Sequence, residues 1–216
     1  GVRPQGEEGN TREARRDGRQ ARSRYRKEWH YTRVTNLLMM ITKEKQNKTF
    51  DTLKGVFGYT NVFSSPRLVK VVVSTGVGKA DKVRKAMIEG RLARITGQKA
   101  APRASKQSIA QFKMREGEIV GFQVTLRNTR MYHFVDKLIH IALPRTRDFR
   151  GLSATSFDEM GNYTIGIKDH TVFPETSEED LKDVFGLAIT FVTTAKTKEE
   201  AEAFLRHLGL PIKAVV

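Results

Sequence analysis

The chain has no cysteine among its 216 residues. That excludes a disulfide framework, a thiolate metal site and a cysteine nucleophile, and it suits a reducing compartment. No apolar run approaches the roughly 20 residues that a bilayer-spanning helix needs, and the start of the chain has no short hydrophobic core of the secretory kind, so no membrane is expected as a partner. Large apolar side chains are nearly missing from residues 1–24, "GVRPQGEEGNTREARRDGRQARSR". Such a stretch cannot bury enough surface to offset the entropy of ordering, and it is expected to be disordered when free. It is either a solvated tail or a basic arm that orders on RNA. Its arginines suggest an organellar transit peptide, but Glu7, Glu8, Glu13 and Asp17 run against one.

Positive charge is what the chain has in abundance. With 39 Lys and Arg against 24 Asp and Glu, its formal net charge is +15, which makes a polyanion the expected partner and nucleic acid the first candidate. The distribution is uneven: residues 1–167 carry net +18 and residues 168–216 carry net −3. One end of the fold is therefore expected to face away from the polyanion. The length suits one well-packed domain plus an appendage.

The pattern of elements predicts a helix from Tyr25 to about Lys43 with an apolar face of Trp29, Val34, Leu37, Leu38 and Ile41. A polar break, "KEKQNKT", and a short helix from Asp51 to Phe57 follow it. The core is expected to begin at Pro66. "RLVKVVVS" reads as a strand buried on most of its surface, "TGVGKAD" as a turn, and Asp81 as the cap of a helix that reaches Ile95 and ends at "TGQ". An extended arm over 101–109 leads through "SKQSIAQFKMREGE" to "IVGFQVTLR", where Val120, Phe122, Val124 and Leu126 form one dry face. Asn128 reads as the N-cap of a helix carrying Met131, Phe134, Val135, Leu138, Ile139 and Ala142 up to Pro144. "FDEMGNYTIGI" reads as a hairpin, "LAITFVTTA" as a strand, and Thr197 with Glu200 as the capping box of a final helix ended by Gly209. The fold class is α+β, a mainly antiparallel sheet with helices packed on one face, plus a basic N-terminal extension. Its divisions are residues 1–24 for the arm, 25–65 for a helical segment and 66–216 for the core.

Few residues offer chemistry of their own. "TGVGKAD" lacks the spacing of a nucleotide-binding loop, because Val73 stands where that motif needs glycine and Ala80 where it needs a hydroxyl. It is a structural turn or an anion-friendly one that touches an RNA phosphate. His133 and His140 are two helical turns apart, about 10 Å, too far to ligate one ion. Asp169, His170 and Glu175 lack a nucleophile or an oxyanion site and read as solvated loop residues. Glu178, Glu179, Asp180 and Asp183 read as an exposed acidic face or as a dock for a basic protein neighbour. The segment 105–118 is either a mobile solvated hairpin or an RNA contact. Cations bracketing Phe112 with Gly117 close by favour RNA, because folded RNA needs charge for phosphate and a planar surface for base or ribose.

Several stretches in order, from about Pro66 to Ile212, resemble one family: "ITGQK", "SIAQFKMREG", "VTLRNTRMYHFVDKLIHIALPRTRDFRGL", "FDEMGNYTIGIK", "FPE" and "TTAKTKEEA". They are similar to the fifth large-subunit ribosomal protein of bacteria, the family that binds 5S rRNA. The resemblance implies a non-enzymatic structural constituent of the central protuberance, without cofactor, metal or small-molecule substrate. It implies 5S rRNA, large-subunit rRNA, peptidyl-site tRNA and neighbouring ribosomal proteins, including the small-subunit head, as partners, on a cytoplasmic or organellar ribosome. Carried over by motif, the 5S rRNA contacts are Ser74, Thr75, Gly76, Gly78, Lys79, Gln98, Thr125 and Arg127. The loop toward tRNA carries Lys106, Ser108, Gln111, Phe112, Lys113 and Arg115. Ser74-Thr75 stands where the family usually has Asn-Met, Gln111 where glycine is usual, and Glu159-Met160 where a Gly-Arg pair is usual. The N-terminal region is longer than is usual in the family. A free basic RNA-binding regulatory module is the alternative, but the best helix here is a core-packing one rather than a groove reader.

Overall fold

A computed structural model describes residues 41–78, 80–112, 114–147, 149–176 and 183–213. The expected arm 1–24, the helix from Tyr25 as far as residue 40, Lys79, Lys113 and the acidic residues Glu178, Glu179 and Asp180 lie outside the described residues.

Five strands form one sheet in the order β2-β3-β1-β5-β4, comprising β1 Leu68–Gly76, β2 Ala101–Ala104, β3 Ile119–Leu126, β4 Tyr163–Ile167 and β5 Leu187–Thr193. All neighbouring pairs are antiparallel. The helices are α1 Ile41–Phe57, α2 Lys82–Thr96, α3 Asn128–Lys137 and α4 Lys198–Leu208. Because successive strand residues point to opposite faces, Val71, Val73, Phe122, Val124, Leu126, Ile189 and Phe191 share one face. There they form a single core with Ile88, Leu92, Phe134, Leu138, Phe204 and Leu205 of the helices. Truncating such a side chain to Ala costs about 2–5 kcal/mol through lost transfer energy and the cavity left behind.

The other face of the sheet departs from the sequence reading of "RLVKVVVS". That strand is buried on one side only: Lys70, Val72 and Ser74 are half-buried while Val71, Val73 and Thr75 are buried. Three consecutive valines look like a strand covered on both faces, yet the middle one belongs to an open side.

The expected break "KEKQNKT" is helical, and α1 runs unbroken through it. Its inward stripe is mostly polar, so hydrophobic periodicity could not reveal it. Thr42 and Thr49 are fully buried. The Thr42 amide donates to Asp136 Oδ1 at 3.1 Å, and its hydroxyl donates to the same oxygen. Gln46 Nε2 donates to the Tyr132 hydroxyl at 2.8 Å, and Gln46 Oε1 accepts from the Leu68 amide at 3.2 Å. Lys45 Nζ donates to the Leu208 carbonyl at 3.1 Å, while His207 Nε2 donates to the Lys45 carbonyl at 2.8 Å. A cation at the last carbonyls of α4 also suits the negative end of that helix.

Helix ends follow the expected chemistry with three differences. Gly97 closes α2 in the left-handed region at φ 68°, but Asp81 caps its start by position only, without a side-chain bond. Arg127, not Asn128, occupies the N-cap of α3; Asn128 is the first helical residue, at φ 53°, a value that asparagine tolerates. Pro144 does not stop the helix at once. A π-turn, Leu138–Ala142, in which the Leu143 amide bonds to the Leu138 carbonyl, widens the helix before the proline ring, and the last turn is Leu143–Arg145. In α4 the Thr197 hydroxyl accepts from the Glu200 amide at 3.3 Å, as a capping box requires. The Glu200 carboxylate reaches back to the Lys196 amide at 2.7 Å and also accepts from the Tyr59 hydroxyl.

Among the described residues, no helix is long and apolar enough to cross a membrane.

Candidate nucleic-acid interface

Strand register sets out the open face row by row. One row crosses all five strands as Ala101, Gln123, Ser74, Ala188 and Gly166. The next is Thr125, Val72, Thr190 and Thr164. A third, beyond the first, is Arg103, Gly121 and Gly76. With strands about 4.8 Å apart, five of them make a surface about 19 Å wide. It carries hydroxyls, methyls and glycines, with Lys70 and Arg103 as cations. The Thr164 and Thr190 hydroxyls meet at 3.1 Å, and Arg103 Nε donates to Gln123 Oε1 at 2.6 Å.

Three of the sequence-derived residues converge here. Ser74 opposes Gln123 and Thr125 opposes Val72, so Ser74 and Thr125 are diagonal neighbours on adjacent strands. Gln98, in the turn after α2, brings Nε2 to 3.5 Å from the Thr125 carbonyl. The result is two hydroxyls on a flat surface, with one amide beside the backbone of Thr125. Short polar groups of this kind meet ribose hydroxyls and phosphate oxygens without the bulk that would hold a nucleic-acid backbone away.

Thr75 does not join them. It points to the opposite face, is 5 % exposed, and its hydroxyl donates to the Gly186 carbonyl at 2.8 Å. The period-two alternation of β1 makes Ser74 and Thr75 mutually exclusive on one face, so the expected pair reduces to Ser74. The glycine turn is also less free than an anion nest requires. The amides of Val77 and Gly78 both donate to the Val120 carbonyl, at 2.9 and 3.2 Å. Gly78 sits at φ 55°. Gly76 has open space where a Cβ would stand, whereas at Gly121 a Cβ would lie 2.7 Å from the Thr75 carbonyl oxygen. The glycine that packing demands is therefore Gly121, which the sequence reading did not single out. Arg127 is exposed at the start of α3.

The described residues 105–112 and 114–118 form a hydrogen-bonded hairpin that prolongs β2 and β3. The Ser105 amide donates to the Glu118 carbonyl at 2.8 Å, and the Gly117 amide to the Ser105 carbonyl at 3.0 Å. Ile109 and Met114 exchange amide–carbonyl bonds at 3.1 and 3.2 Å, across a 3-10 turn Ala110–Phe112. Gly117 takes φ 80°, which needs glycine. Lys106, Gln111, Phe112 and Arg115 are exposed around this frame, Phe112 at 62 %. Ser108 is exposed too, but its hydroxyl donates to the Met114 carbonyl at 3.2 Å and so holds the loop.

The remaining candidates are structural. His170 is fully buried rather than solvated: its ring stacks on Phe185 at 4.1 Å, Nδ1 accepts from the Phe185 amide at 3.4 Å, and Nε2 lies 3.5 Å from Arg91 Nη1. Its polar sequence neighbours suggested a loop in water. Glu175 is paired with Lys137 at 2.6 Å. Asp183 lies 4.0 Å from Arg84, and its carbonyl accepts from Arg91 at 3.0 Å. Among the described residues, no group of three or more His, Asp or Glu side chains could hold a metal ion. His133 and His140 instead flank Asp136, where their charge pulls the carboxyl pKa down against the stronger upward push of burial.

What sequence reasoning missed on the open face includes Lys70, Val72, Arg103, Gly121, Gln123, Thr164, Gly166, Ala188 and Thr190. Alternation in "LAITFVTTA" and "YTIGI" marks the outward positions, but only the strand order brings them beside Ser74.

Comparison with known proteins shows which family the sequence matches. The family model described as "Ribosomal protein L5" matches residues 61–115, and a second model, for the C-terminus of the same ribosomal family, matches residues 119–212. The large ribosomal subunit protein uL5 of Heliobacterium modesticaldum is 52% identical over 160 residues, 73% of this chain and 89% of that protein. That of Flavobacterium johnsoniae is 47% identical over 175 residues, covering 80% and 96%, and that of Clostridium botulinum 46% identical over 178 residues, covering 81% and 98%. The chain belongs to the ribosomal protein L5 family, a structural and non-enzymatic constituent of the ribosome.

Proposed function

We propose that this protein is the large-subunit constituent that seats 5S rRNA on the open face of its sheet, within the central protuberance. The Ser74 and Thr125 hydroxyls on one flat, small-residue surface, with Gln98 beside Thr125, carry this reading. The net charge of +15 supports it, since phosphate neutralisation is the main source of affinity for RNA. Binding should weaken steeply with salt, with a slope of log K against log salt of about −4 for about five phosphate contacts. Gln98→Ala removes a polar tip and no charge. It should weaken 5S rRNA binding while leaving the slope unchanged, and equal affinity of variant and wild type would refute the assignment.

The 105–118 hairpin has a different task in this proposal: it reaches the tRNA of the peptidyl site, with Phe112 offering a planar face and Lys106, Lys113 and Arg115 the charge. Other surfaces meet large-subunit rRNA and proteins of the small-subunit head. Lys113→Ala combined with Arg115→Ala should leave occupancy in large subunits normal and weaken tRNA retention. Reduced occupancy would instead place the hairpin in the rRNA anchor.

A further inference from the structure

Phe63 is 88 % exposed, more than any other large hydrophobic side chain among the described residues, and Val62 beside it is 58 % exposed. They stand on a locked turn. Asn61 Oδ1 accepts from the Phe63 amide at 3.0 Å, and the Ser64 amide donates to the Asn61 carbonyl at 3.0 Å. The Ser65 amide and hydroxyl both donate to the Val62 carbonyl, at 3.2 and 2.6 Å. Pro66, buried, follows, and Arg67 is pinned to Thr194 by its amide and carbonyl, each at 3.0 Å. A rigid turn that holds an aromatic ring in water has lost its conformational entropy before any partner arrives. That is the economy of a preorganised contact.

The charge around the turn decides what that partner is. Residues 54–70 contain Lys54, Arg67 and Lys70 and no carboxylate, and the adjoining 194–200 adds Lys196 and Lys198 against Glu199 and Glu200, which leaves the two stretches at net +3. The nearby carboxylate of Glu200 is already engaged by Tyr59 and the Lys196 amide. An exposed ring amid cations fits a base and its phosphates, because stacking serves any base and the cations serve the backbone. Lys70 also lies on the open face, four residues along β1 from Ser74, about 13 Å at strand rise. One RNA can therefore lie across the sheet and reach the turn.

We infer that Phe63 is a stacking platform for an unpaired base of the same 5S rRNA, with Arg67 and Lys70 on the flanking phosphates. This rests on the proposal that 5S rRNA lies on the open face. The full chain is titrated with 5S rRNA as wild type, Phe63→Ala, Phe63→Tyr and Gln98→Ala, and each complex is probed with base-reactive reagents. An exposed ring leaves no cavity on truncation, so Phe63→Ala should melt like wild type. It should bind roughly tenfold or more weakly with an unchanged salt slope, and one base protected in the wild-type complex should become reactive. Phe63→Tyr should retain both affinity and protection. Wild-type affinity and footprint in Phe63→Ala, beside weakened Gln98→Ala, would overturn this inference alone. Failure of the wild-type chain to bind 5S rRNA would overturn both readings. Normal 5S rRNA binding by Phe63→Ala with loss from assembled subunits would give the ring to a protein pocket and would also overturn it.

Discussion

Ala188→Glu tests the open face at its centre. Ala188 lies on β5 directly opposite Ser74 on one side and Gly166 on the other, and it is half-buried. Its outward neighbours are a hydroxymethyl group and a glycine, so a longer side chain displaces nothing in the core, and the folding cost should stay near the ±0.5 kcal/mol typical of surface changes. The effect on RNA is another matter. A carboxylate on this surface would sit within about 5 Å of a phosphate of any nucleic acid lying on it. At that distance two unit charges repel by about 1 kcal/mol in water and about 3 kcal/mol at an effective dielectric of 20. The expected loss of affinity for 5S rRNA is therefore between about 5-fold and 200-fold, and it should shrink as salt rises, because screening acts on the new repulsion. Filter binding with a 5S rRNA transcript at several salt concentrations measures this, and thermal melting of the free protein checks the fold. Ala188→Ser, which adds a hydroxyl without charge, should bind nearly as wild type. A folded Ala188→Glu protein with undiminished affinity would refute the placement of RNA on this face.

Two more outcomes follow from the buried polar groups. Asp136 is 3 % exposed, has Oδ2 without a hydrogen-bond partner among the described residues, and has its pKa raised chiefly by burial, although both Thr42 bonds and the charge of His140 and His133 pull it down. A raised folded pKa means stability that is present below the unfolded value of about 3.9 and lost as pH rises through the folded one. Relative to wild type, Asp136→Asn should therefore gain stability as pH rises from about 4 toward neutrality; a pH-independent difference in urea unfolding would contradict this. Thr75→Val removes the hydroxyl bonded to Gly186 while keeping the shape, so it should cost about 1 kcal/mol of stability. It should leave 5S rRNA affinity unchanged, and a binding defect without a stability defect would return Thr75 to the interface.

The helices and strands of the core are legible where burial is apolar and one-sided. The stripe Met131, Phe134, Val135, Leu138 and the alternation Phe122, Val124, Leu126 are written in side chains whose preference for the interior needs no partner to be named. Capping is legible at Thr197 and Gly97, where local backbone chemistry decides. The stretch 44–50 that joins the two expected helical pieces escapes a periodicity reading because the inward stripe of α1 includes Thr42, Gln46 and Thr49. Thr42 and Gln46 find their partners on elements distant in sequence, and Thr49 turns its hydroxyl back to the Lys45 carbonyl one turn away. His170 misleads for the same reason as Thr42: its burial depends on Phe185 and Arg91.

Taken alone, the sequence determined the charge, the absence of thiol chemistry, most of the element types and the family resemblance, all of which depend on composition or on neighbours within a few residues. It also supplied Ser74, Thr75, Gln98 and Thr125 as a set, through motif likeness. Only the tertiary structure decided that Ser74 and Thr125 share a surface with Gln98 beside Thr125, that Thr75 turns inward, and that Gly121 must be glycine because Thr75 approaches it. Facing, register and strand order arise from contacts between segments far apart in the chain, as where Ser74 meets Gln123 on one side and Ala188 on the other. A hydroxyl carries no mark of which side of a sheet it will occupy until its strand is paired and one face has been covered.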